Sequence, residues 1–171
     1  EDIATVGAIV NLDAVTLDAW YNNIDDVLDS YTIGANSKLE LGGVDLGIDA
    51  RYVYLEQDNV AKTEHDLAKI ALTAKAGIVS GKVAYAWTGK DGGTTALDND
   101  AQTTLLGWNL YANGKADADY WQVVAAVDLL SNLNLSANYG NIEYVRDKTN
   151  VEEEEIYGQL TYKMSKNLST Y

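Results

Sequence analysis

The sequence predicts an all-β fold: an antiparallel up-and-down transmembrane β-barrel, or part of one. Three observations carry this. Apolar and polar side chains alternate with period two in runs of about 10 residues, the length a tilted strand needs to cross a bilayer. The runs are joined alternately by short turns and by longer polar loops. The aromatic residues of the apolar parity gather at the strand ends nearest the longer loops.

The clearest unit is Ser30 to Gln57. Before Gly42-Gly43, residues Tyr31, Ile33, Ala35, Leu39 and Leu41 share one parity, with Thr32, Gly34, Asn36, Lys38 and Glu40 on the other. After it, Val44, Leu46, Ile48, Ala50, Tyr52 and Tyr54 alternate with Asp45, Gly47, Asp49 and Arg51. Successive strand side chains point to opposite faces, so this is a hairpin with one apolar and one wet face.

The rest of the chain repeats that unit. Thr5 to Leu12 and Val15 to Asn22 are strands around a turn near Asp13, with Leu17, Ala19 and Tyr21 aligned on the second. A polar loop, Asn23 to Asp29, leads into the hairpin, and a charged one, Asp58 to His65, leaves it. Asp66 to Ile78 and Lys82 to Thr88 flank an expected turn at Ser80-Gly81. The connection from Gly89 to Asp119 is long enough to expect a function of its own. Its middle, Leu105 to Asn113, is too apolar for a free linker: it is an extra strand or a constriction segment folded against the wall. Tyr120 to Leu129 and Leu133 to Arg146 flank Ser131-Asn132, and the second loses its parity after Gly140, which predicts a bulge there or emergence into water. An acidic loop, Asp147 to Glu153, precedes Glu154 to Ser165; a turn near Lys166 and a last strand from Leu168 close the series. The total is ten strands and no helix.

Composition narrows the function. Across 171 residues the net charge is −14, which argues against nucleic-acid binding. Mean hydropathy is −0.20, and no run of 18 apolar residues exists, which excludes a transmembrane helix but not a barrel. Proline is absent, as long strands prefer, and cysteine is absent, so no disulfide or thiolate site is expected. The acidic start at Glu1-Asp2 carries no signal peptide, so the chain reads as mature, trimmed or a fragment. It forms a single domain over residues 1–171, read as an incomplete barrel.

With the apolar parity toward lipid, the polar parity lines a lumen. Lys38, Glu40, Asp45, Asp49, Arg51, Lys69, Lys75, Lys82, Asp128 and Lys163 are the expected pore-lining charges, joined by Asp18, Gln122, Gln159 and Thr161. On a solvated sheet face the same residues would be ordinary cross-strand pairs. Tyr21, Tyr31, Tyr52, Tyr54, Tyr85, Trp87, Trp121 and Tyr139 form the expected aromatic girdle, since amphipathic rings are most stable at a water–lipid boundary. The acidic loops, including Asp98, Asp100 and the run Glu152 to Glu155, read as solvated rims. No catalytic residue, metal site or cofactor is expected: Gly89 to Thr94 lacks phosphate-loop spacing, and His65 reads as an exposed loop histidine far from any nucleophile elbow.

Ala19 to Leu39, the hairpin to Arg51, Leu105 to Asp128 and the segment from Glu152 together resemble the OprD-type outer-membrane porins, including their relatives in Campylobacter-like bacteria. The resemblance implies a C-terminal-half fragment of a barrel of roughly 16–18 strands. It also implies a bacterial outer-membrane location, passive diffusion of small hydrophilic solutes and ions, contact with lipid bilayer and lipopolysaccharide, and a homotrimer. The alternative is a soluble or surface-exposed β-sandwich or barrel used for binding or adhesion, with the apolar parity as a dry core.

Overall fold

A computed structural model describes residues 2–58, 63–92, 97, 102–165 and 168–171. Ten strands follow one another: β1 (Ile3–Leu12), β2 (Val15–Ile24), β3 (Leu28–Leu41), β4 (Val44–Gln57), β5 (Glu64–Ala76), β6 (Val79–Thr88), β7 (Ala116–Leu130), β8 (Leu133–Arg146), β9 (Thr149–Ser165) and β10 (Leu168–Thr170). They form one antiparallel sheet in sequence order, with β1 and β10 at its two edges.

The register explains why the sequence alternates as it does. Directly opposed residues share a face, and one horizontal track reads Tyr21, Tyr31, Tyr54, while another reads Leu72, Val83, Val123, Tyr139, Ile156. The apolar parity is therefore continuous across the sheet. It is also uncovered: Ile33, Leu72, Val83, Val123 and Leu160 are all exposed.

At one end the strands are joined by tight turns. Gly42 and Gly43 both take positive φ (60° and 80°), the conformation that a two-residue hairpin matching strand twist demands. The turn after β5 is not at Ser80-Gly81. Gly77 adopts φ 58° and the reversal occurs at 77–78, because a glycine first in the turn is the conformational requirement and Ser80-Gly81 has a strand partner in β7.

Two of the expected long loops are short. The segment 25–27 suffices between β2 and β3, and Asp147-Lys148, both at positive φ, turn β8 directly into β9. Glu152 and Glu153 are thus strand residues, paired with Glu143 and Ile142. The connections 58–63 and 89–115 remain the longer ones, and they lie at the same end as these turns. The expected turn at Lys166, the acidic residues Asp98 and Asp100, and Gly93-Thr94 fall outside the described residues.

β8 itself does not bulge after Gly140, and its pairing with β9 is unbroken from Leu133 to Arg146; the register shift opposite Glu143 and Val145 lies in β7, between Ala116 and Asp119. Asn138, Gly140, Ile142 and Tyr144 keep one face, and that face changes from polar to apolar because Leu105, Leu110 and Ala112 pack on it. This segment is neither strand nor linker. Its one bridge, Leu106 to Tyr111, closes a small loop of its own, and its apolar side chains join Leu67, Ala86, Tyr120 and Ile142 in the buried cluster. His65 is likewise not exposed: it lies in β5 opposite Leu55, on the same face, and is buried.

Candidate functional site: the concave wall and its in-folded segment

From β2 to β9 the polar parity faces the side on which 102–115 folds. That side is concave, and below the segment it encloses a cavity of about 980 Å³ bordered by Lys38, Glu40, Asp45, Asp49, Lys69, Lys75, Lys82, Val124 and Ala126. The ten charges expected from the sequence share this face: seven line the cavity, Arg51 stands next to it, and Asp128 reaches it by pairing with Lys75. Lys163 shares the parity of Thr161 and Gln159 on β9 but is exposed at the turn end, outside the cavity.

The charges are paired across strands rather than along them. Arg51 Nη2 lies 2.9 Å from Asp18 Oδ1, with both side chains almost fully buried (4% and 7% exposed). The pair reaches from β4 to β2 across β3, and it does so over Gly34, where a Cβ would overlap both groups. Lys69 Nζ lies 2.9 Å from Asp49 Oδ2 and also donates to the Gln102 carbonyl. Lys75 Nζ lies 2.7 Å from Asp128 Oδ2, at the open end of the wall. Lys82 differs. Its ammonium donates to Gln122 Oε1 at 2.6 Å, and among the described residues it forms no salt bridge.

Side chains of the wall hold the in-folded segment, among them Glu153, which accepts from Lys115 Nζ at 3.5 Å. Besides Lys69, Gln122 Nε2 donates to the Leu106 carbonyl (2.8 Å) and Thr88 Oγ1 to the Lys115 carbonyl (2.7 Å). Glu155 accepts from three consecutive backbone N–H groups, those of Trp108, Asn109 and Leu110, at 2.9, 2.8 and 3.3 Å. Sequence reasoning passed over Glu155 because it sits inside an acidic run. The signal was there in parity: Glu153 and Glu155 share a face with Tyr157 and Gln159, while Glu152 and Glu154 share the face of Ile156.

On the convex face the expected girdle residues are neighbours. Ring centroids lie 4.9 Å apart for Tyr21–Tyr31, 6.4 Å for Tyr31–Tyr54, 5.6 Å for Tyr85–Trp87 and 4.4 Å for Tyr85–Trp121. Tyr52 is opposite Ile33 and Tyr139 opposite Val123, within the same band. Three of the tyrosines turn their hydroxyls to carboxylates on the loop side: Tyr21 to Asp29 (2.6 Å), Tyr139 to Glu154 (2.9 Å) and Tyr85 to Asp119. Asp29, near the start of β3, also accepts from Asn23 Nδ2 at 3.0 Å. Each ring thus has an apolar body on the greasy band and a polar tip directed away from it.

No family model matches the sequence, and no curated protein sequence does. The fold has clear counterparts among solved structures. OccK10 (OpdN) of Pseudomonas aeruginosa superposes with a TM-score of 0.84 at 16% identity, over 96% of this chain and 52% of that one. OccK2 (OpdF) of the same organism gives 0.85 at 15% identity, over 95% and 47%. The BenF-like porin of Pseudomonas fluorescens Pf-5 gives 0.82 at 17% identity, over 94% and 45%. The chain has the fold of the outer-membrane porins. It spans about half the length of these porin-fold chains, consistent with the open sheet.

Proposed function

We propose that this chain is part of an outer-membrane porin, the C-terminal half of a larger barrel, that carries small hydrophilic solutes and ions by passive diffusion. The observation that carries the reading is the sorting of one sheet into two faces. Val123, Leu160 and Leu72 are exposed, with no described residue packed over them, while Lys82, Asp49 and Lys69 border a concave cavity. A soluble sandwich would require a second apolar layer over the first face, and no described residue supplies one. Lipid satisfies that face, and strand pairing satisfies the backbone in lipid, which leaves water and the charged wall inside. Transport in this reading is not an enzymatic reaction.

The wall charges are the proposed pore lining, and the tyrosine and tryptophan band is the proposed girdle at the outer boundary, with lipopolysaccharide as its surroundings. A solved neighbour, OccK2 (OpdF), carries glucuronate in one structure. Small carboxylates are accordingly the proposed solute class, with the Lys82 ammonium as the point they meet. A homotrimer accords with the sequence resemblance, and crosslinking in native membranes, with a band at three times the protomer mass, tests it.

The decisive experiment is reconstitution of the full-length protein in planar bilayers. Stepwise conductance is expected, and its complete absence at micromolar protein would refute the channel. The Lys82→Glu variant is expected to raise the ratio of cation to anion permeability several-fold, read from the reversal potential in a salt gradient, without loss of folding.

A further inference from the structure

We propose that Glu155 is the positioning residue that sets the aperture, by pinning the tip of the in-folded segment to β9. The proposal rests on the channel reading for its consequence but not for its geometry. The tip is a tight reversal: Gly107 N–H donates to the Leu110 carbonyl at 2.7 Å, and Leu106 bridges to Tyr111. That reversal turns the N–H groups of Trp108, Asn109 and Leu110 toward one point, and the Glu155 carboxylate occupies it. Three convergent donors on one anion form charge-assisted bonds, stronger than neutral ones. Glycine at 107 leaves room for this approach, since a Cβ there would overlap Glu155 Oε1 and the Tyr120 hydroxyl and push the carboxylate aside. Gln122, Lys69 and Thr88 each reach a carbonyl of the segment, and Glu153 meets the Lys115 ammonium at its far end. They tether it along its length, whereas Glu155 fixes how far its tip stands from the wall.

The acceptor is on β9 and the donors are on the segment, so substitutions on either side should release the same tip. Hydrogen exchange read by mass spectrometry on the full-length protein in bilayers gives the direct measure. In Glu155→Ala the amides of residues 108–110 are expected to exchange about tenfold faster or more, with amides of the β3–β4 hairpin unchanged. Gly107→Ala should match it, and Glu155→Gln, which keeps one acceptor oxygen without the charge, should fall between. Single-channel records of Glu155→Ala should show a larger and less steady conductance, with the heat-modifiable gel mobility of the folded barrel retained. Exchange within about twofold of wild type in both Glu155→Ala and Gly107→Ala would overturn the proposal. Exchange needs no current: protected amides in a wild type that does not conduct would refute the channel and leave the pin standing, and a conducting wild type with unprotected amides would do the reverse.

Discussion

Ala125→Arg is expected to destabilise the protein in bilayers by about 2–4 kcal/mol, the cost of a guanidinium facing lipid near the midplane. Ala126→Arg, one residue along the same strand, is expected to change stability by about 0.5 kcal/mol or less. The two alanines are chemically identical and adjacent in β7, but Ala125 is exposed on the convex face and Ala126 borders the concave cavity. Ala125 also lies midway between Trp121, in the aromatic band, and Leu129 near the turn, so a snorkelling arginine finds no short route to water. Urea titration in phospholipid vesicles, followed by tryptophan emission, measures both. Equal effects at the two positions would remove the basis for placing lipid on one side only.

The second large effect lies within the wall. Asp18→Ala is expected to cost about 3–5 kcal/mol, because it strands the Arg51 guanidinium in a site where its side chain is only 4% exposed. The double variant Asp18→Leu/Arg51→Met should recover most of that loss, since removing both charges leaves no uncompensated ion. Gly34→Val tests the same pair from the strand between them. Its side chain would occupy the space both groups share, so it should approach the single variant in effect while leaving both charges in the sequence. The same vesicle titrations resolve these differences. A double variant no more stable than Asp18→Ala would show that the pair matters through shape rather than charge.

Much of this architecture was legible before any coordinates. Period-two alternation identified the strands, and because opposed residues share a face, it also sorted Arg51, Lys69 and Lys82 from Leu72, Val83 and Val123. What alternation cannot show is a contact between segments far apart in sequence. Ile142 and Tyr144 looked like a lost parity because their apolar partners, Leu105 and Leu110, belong to a connection with no period of its own. His65 was misplaced for a related reason. Its neighbours in sequence are charged, but its neighbours in the sheet are Leu55 and Leu67. The loop lengths were overread in the acidic stretches, where charge was taken for solvation. In Thr149 to Glu155 every second carboxylate is simply the outward or inward member of a strand pair.

The directions of the two outermost strands constrain any completed cylinder. β1 runs away from the end that bears residues 25–27 and 89–115, and β10, antiparallel to β9, runs back toward it. A meander that returns from β10 to β1 with every neighbour antiparallel can therefore interpose only an even number of additional crossings. The full count of staves is even whatever the length of the remaining polypeptide, and insertion of a single extra one would force a parallel seam.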